Sequence, residues 1–182
     1  MRVLLIIAIA LITTFAVAVI IVLVIGSRLP ATHIASRSIR LGQPPQNVYT
    51  VVRDFGSAAA WRPDVKTVEM MGDENGVVRF RENGGNGVIN YELVEDVPAE
   101  RIVTRIADRD LGYAGSWTYE FTPDGEGSLV TITEDGEVSN IFFRFMSRYV
   151  FGHTSTLDAY LKALAARFGE SAPEPAPASH NQ

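Results

Sequence analysis

Apolar and polar positions fall into three regimes along this chain. From Val3 to Ile25 only Thr13 and Thr14 interrupt an apolar run of about 23 residues. As a helix that run is about 35 Å long, more than the ~30 Å hydrocarbon core of a bilayer. Beyond it, "HIASRSIRL" sets Ser36, Ser38 and Arg40 against Ala35, Arg37, Ile39 and Leu41, a strand pattern with Arg37 out of place on the apolar side. "QPPQ" ends the strand, and Pro45 suits a first helical turn, where its missing N–H costs nothing. Val48, Val51, Val52 and Phe55 follow at i, i+3, i+4 and i+7, one face of a short helix. Gly56 stops it, Ser57 is placed to cap a second short helix, and Pro63 ends that one.

Six strands come next, separated by turn chemistry: "VKTVEMM", "VVRFRE", "VINYELVED", "RIVTRIAD", "SWTYEF" and "SLVTITED", the last ending at Gly136. Asn-Gly and Asp-Gly steps between them supply the positive φ angles of hairpins, so the spacing predicts an antiparallel meander. Trp117, Tyr119 and Phe121 share one face of their strand, as do Ile89, Tyr91 and Leu93, while Ser116, Thr118, Glu120, Asn90 and Glu92 take the other. A sheet patterned this way is covered on one side. The cover is the closing stretch from about Asn140 to Phe168: Ile141, Phe142, Phe145 and Tyr149, then Leu157, Tyr160, Leu161, Leu164 and Phe168. Gly152 at the join predicts one bent helix or two nearly collinear ones, with Ser155 and Asp158 spaced as a capping box. Phe143 and Phe151 stray from the main stripe and raise the question of a contact surface.

Composition refines this picture. The apolar run is too long for the 7–15-residue core of a secretory signal, the rival reading with Arg2 before it and "VIG" as a poor cleavage site. It is read as a retained single-pass membrane anchor, residues 1–30. Arg2 and the α-amine on one side nearly balance Arg28, Arg37 and Arg40 on the other, so the charge count leaves the side of the soluble domain open. Residues 31–170 make one domain, and 171–182, "SAPEPAPASHNQ" with His180, read as a disordered tail. Net charge is −5, and no basic face suited to phosphates is visible, which argues against nucleic acid. Without cysteine there are no disulfides or thiolate metal sites.

The order strand, two short helices, six strands, long helix resembles the START-like helix-grip superfamily, in particular its polyketide cyclase/dehydrase-like branch. The resemblance covers roughly His33 to Glu170. It rests on "QPPQNVY", on Trp61 with Pro63, on "SWTYEFTPDGEGSLVTITEDGEV" and on "LDAYLKALAARFGE". The chain departs from the family in carrying Tyr49 where a Trp or Phe is usual, and in the added membrane segment. The implied fold is α+β: a curved antiparallel sheet of about seven strands wrapped around a long C-terminal helix, after one transmembrane helix. Relatives of this kind include lipid carriers, hormone receptors, quinone-binding proteins and cyclases, so fold does not choose the activity.

The chemistry is sparse. No G-x-S-x-G elbow occurs, and no pair of histidines stands at i, i+4. His33 falls near the membrane, leaving His153 as the one catalytic candidate among three histidines, with satisfaction by a backbone carbonyl as its plainer role. Glu134 and Asp135 are read as part of an Asp-Gly turn, and "GGNG" as a hairpin rather than a phosphate loop. The expected function is membrane-tethered binding of a small hydrophobic or amphipathic ligand, with no metal or cofactor called for. The residues expected to line its cavity are Trp61, Phe80, Tyr91, Trp117, Tyr119, Phe121, Phe142, Phe145, Tyr149 and His153. Two alternatives stand beside it: a cyclase/dehydratase-like enzyme using Tyr91, Tyr119 or His153 in a dry pocket, and a protein-interaction domain with a filled core.

Overall fold

The computed structural model describes residues 2–74, 76–152, 154–171 and 174–178. The apolar run forms helix α1, Arg2–Arg28, with all its large apolar side chains but the half-buried Val22 exposed. Three residues later strand β1, Thr32–Leu41, begins. Helix α2, Pro45–Arg53, comes next with proline in its first turn, then a 3₁₀ helix, Phe55–Ala60. Ser57 does not cap the latter; its hydroxyl donates to Asp54 at 2.6 Å. The meander is β2 Val65–Glu74, β3 Val77–Gly84, β4 Gly87–Val97, β5 Arg101–Ile106, β6 Tyr113–Asp124 and β7 Gly127–Val138. All pairings are antiparallel, and β1 closes on β7.

Register fixes the inner face. Phe80 pairs with Tyr91, Tyr91 with Ile106, Thr104 with Trp117 and Tyr119 with Ile132, so these residues all point to one side. Helix α4, Ser155–Arg167, lies over that side with Leu157, Leu161 and Leu164 wholly buried. Each such side chain contributes about 1.5–3 kcal/mol of apolar burial. The misplaced Arg37 explains itself here: its guanidinium makes a bidentate pair with Asp158 in the first turn of α4, at 2.8 and 3.1 Å. Asp158 is therefore engaged with β1, and the capping box at Ser155 does not form.

Two expectations are corrected and one is narrowed. Of one bent helix or two helices, the closing stretch is two: α3, Ile141–Met146, continues as a π-helical turn, Ser147–Phe151, and stops at Gly152, before α4. Gly152 adopts φ 75°, ψ 153°, a conformation natural to glycine alone, and it sends the chain off the helical path. On its N-terminal side α3 packs against α1; on its C-terminal side α4 packs against β1. Strand β7 does not end at Asp135-Gly136 but runs on to Val138, with the His33 ring of β1 lying over Gly136. In the tail, Ala176–Pro177 forms β8 along the free edge of β1, beside Arg37 and Ser38; His180 is outside the described residues.

Candidate functional site

The inner face carries a ring cluster centred on Tyr160 of α4. Trp61, from the loop after the 3₁₀ helix, meets it edge-on at 5.3 Å between ring centres. Trp117 does so at 5.7 Å, and Tyr119 lies tilted against it at 5.5 Å. Farther along, Phe80 stacks between Phe55 at 4.3 Å and Tyr91 at 5.2 Å. Phe121 sits at the other end of β6, edge-on to Tyr49.

A charge pair is set into this apolar wall. Arg62, only 13% exposed, donates through Nη1 to Glu82 at 2.8 Å and through Nη2 to Asp64 at 2.7 Å. Its guanidinium also lies 5.0 Å above the Tyr160 ring. Burial alone favours the neutral form of Arg62, yet the hydrogen bond to Asp64 and the charge of Glu82 outweigh it and hold the pKa above its ordinary value. Burial raises the pKa of Glu82, with Arg62 opposing. Burial also pushes Tyr91, Tyr119 and Tyr160 upward, so at neutral pH all three are proton-bearing hydroxyls. Thr104 is the hydrogen-bonding neighbour of Tyr119, and Tyr119 that of Tyr160. The indole Nε1 of Trp61 is buried without a hydrogen-bond partner.

At the α1 end of the same face, His33 Nε2 and Glu134 Oε1 are 3.3 Å apart. Burial raises the pKa of Glu134, opposed by His33 and by the Trp117 indole. A small cavity and a larger groove adjoin the sheet among the described residues. Beside Arg62, Glu82 and Tyr91 there is a cavity of about 30 Å³, room for one or two waters. A groove of about 860 Å³ lies on the opposite face, among Arg79, Glu92, Arg105, Asp108 and Arg109. Most of its charges are already paired: Glu92 with Arg105 and Arg79, and Asp108 with the amide and side chain of Asn90.

Six of the ten residues expected to line a cavity therefore share the inner face: Trp61, Phe80, Tyr91, Trp117, Tyr119 and Phe121. Phe142, Phe145 and Tyr149 do not join them. They lie before the Gly152 break, where Phe142 contacts Phe143 and Phe145 contacts Tyr149. His153 is outside the described residues. Sequence reasoning missed Glu82, Arg62 and Glu134 as site residues. Strand alternation carries the signal for Glu82, two places from Phe80, whereas Arg62 sits in a loop where no period applies.

Several solved structures share this fold. The Zhui aromatase/cyclase from Streptomyces sp. R1128 superposes with a TM-score of 0.61 at 17% identity, covering 75% of this chain and 93% of that one. A START superfamily protein from Mycobacterium smegmatis gives 0.58 at 20%, covering 74% and 96%. Norcoclaurine synthase from Thalictrum flavum gives 0.58 at 15%, covering 76% and 87%. The chain spans about half (52%) of the di-domain aromatase/cyclase StfQ of the steffimycin pathway. Likenesses at such identity speak for the fold alone. A comparison with curated protein sequences finds no match. Residues 32–169 match the sequence model described as "Polyketide cyclase / dehydrase and lipid transport", and by that match over most of its length the chain belongs to this family.

Proposed function

We propose that this protein holds a small apolar or amphipathic molecule between the inner face of the sheet and α4, at the surface of a membrane crossed by α1. One observation carries the reading: an ion pair, three tyrosine hydroxyls and an unpaired indole N–H are placed inside an otherwise aromatic wall. A core that served packing alone gains little from a buried charge pair, which apolar side chains of similar volume often replace without loss. Clustered, perturbed titratable groups are more typical of binding and catalytic sites. The favoured ligand has a ring or chain to lie against Trp117 and Tyr160 and an oxygen acceptor for the Trp61 N–H. Because the rings touch, its binding requires Tyr160 and Trp117 to swing apart.

A cyclase/dehydratase-like activity is the second reading, favoured by Glu82, a carboxyl on the inner face whose pKa burial raises above its ordinary value. The ring contacts around Tyr160 favour a third, the filled core.

Both tryptophans of the chain lie in the cluster, so intrinsic fluorescence reports on it. The full-length protein in detergent, titrated with a fluorescent fatty-acid analogue and with a short-chain quinone, should show saturable quenching with at least one of them. Arg62→Met should weaken that binding at least several-fold. Unchanged tryptophan emission, together with an empty organic-solvent extract by mass spectrometry, leaves the filled core in possession. Turnover that disappears in Glu82→Gln while binding persists selects the enzyme.

A further inference from the structure

We propose that Ile141–Phe151 lies in the interfacial layer of the bilayer that α1 crosses, as a short helix flat against the lipid headgroups. The proposal rests on α1 being a membrane span. Ile141, Phe142, Phe143, Tyr149 and Val150 are each between 39% and 59% exposed. Outside α1, the other exposed large apolar residues among those described, Ile34, Met70, Val88 and Val94, stand singly on strands. A contiguous exposed apolar patch needs a partner, whereas scattered ones do not.

The structure itself supplies the partner and the depth. Gly26, in the last turn of α1, touches Ile141 so closely that a Cβ there would collide with the Ile141 carbonyl. The first turn of α3 is thus held at the level where the apolar helix ends, which is the headgroup boundary. Charge agrees with that level. From Val138 to Leu157 the sequence has no acidic residue, while Arg144, Arg148 and, on α1, Arg28 are basic. Arg144 is turned back onto the carbonyls of Val138 and Ser139, at 2.6 and 3.1 Å, and Arg148 is exposed. Basic residues with Phe and Tyr on a short helix are the composition of segments that lie in the interface. Asn140 fixes the start by accepting from the amides of Phe142 and Phe143 at 2.9 and 3.2 Å.

The chain has no cysteine, so single labels can be introduced freely. Full-length variants Phe143→Cys, Val150→Cys, Glu126→Cys and Ile12→Cys, each carrying an environment-sensitive dye, are reconstituted into phosphatidylcholine/phosphatidylglycerol vesicles. Glu126 lies in the β6–β7 turn, at the far end of the hairpin whose other end, Tyr113 with Val138, adjoins α1. Nitroxides placed near the headgroup should quench positions 143 and 150 several-fold more than position 126, and deep nitroxides should quench position 12. Quenching at 143 and 150 no greater than at 126, with position 12 still quenched, overturns the interfacial placement while keeping the anchor. Loss of quenching at position 12 removes the anchor and the inference with it. Cross-linking of position 143 between two copies, without nitroxide quenching, assigns the patch to self-association and also overturns the proposal.

Discussion

Two stretches on either side of Gly152 carry similar side chains and meet opposite fates. In α4, Leu157, Leu161 and Leu164 are fully buried and Tyr160 nearly so; in the segment before it, Phe142, Phe143, Tyr149 and Val150 are about half exposed. Apolar content does not separate them. What separates them is what each can reach. Helix α4 lies across a concave aromatic wall and is pinned at its first turn by Arg37. The earlier segment starts where β7 ends and packs beside α1, and the non-helical conformation of Gly152 separates it from α4.

The contrast can be broken most directly at α4. Leu161→Ala should cost about 2–5 kcal/mol of folding stability, read by denaturant titration of the full chain in detergent. A loss below about 1 kcal/mol would mean that α4 is not what closes the sheet. Next comes the buried pair. Glu82→Ala leaves Arg62 with Asp64, itself half exposed, and should cost about 2–3 kcal/mol; a negligible change would show the pair to be solvated. The same carboxyl gives the inner face a pH signature. Its folded pKa lies above the ordinary value of 4.5, so the folded state binds that proton more tightly than the unfolded state. Its contribution is therefore present below about 4.5 and is lost as pH rises through the folded pKa. Glu82→Gln should flatten the stability profile in that window, and an unaltered slope would assign the titration elsewhere. Asp96 works in the opposite sense: burial would raise its pKa, but hydrogen bonds from Arg53 and Tyr49 prevail and lower it. Its contribution is present above 3.8 and is lost as pH falls.

Smaller effects sharpen the other side of the comparison. Arg37→Met, at a pair with about a fifth of each side chain exposed, should cost about 1 kcal/mol. Phe143→Ser should stay within about 0.5 kcal/mol in detergent, since half of that ring is already outside. A loss as large as that of Leu161→Ala would place Phe143 in the core after all.

Much of the fold was legible because it obeys local periods. Period-2 alternation assigned Trp117, Tyr119 and Phe121 to one face of their strand and Ile89, Tyr91 and Leu93 to one face of theirs, and register sets Tyr91, Trp117 and Tyr119 on a common side. The i, i+3, i+4 pattern found α2 and α4. The same pattern misled at Phe142, Phe145 and Tyr149, because a one-sided stripe says that a face is apolar and not what covers it. Arg37 looked like a defect in β1 until its partner, 121 positions away, was in view. Arg62 was hidden for the same reason: its partners Glu82 and Tyr160 are distant in sequence and meet it only once the sheet has curved.

The join between α1 and β1 comprises Leu29, Pro30 and Ala31, and Ala31 already accepts a hydrogen bond from Val138. Three residues reach at most about 10 Å even when fully extended. On the proposal that α1 spans a bilayer, a globule on so short a stalk has no room to patrol the aqueous space around it. On that same proposal, any ligand it holds would have to come to within a headgroup's breadth of its own leaflet.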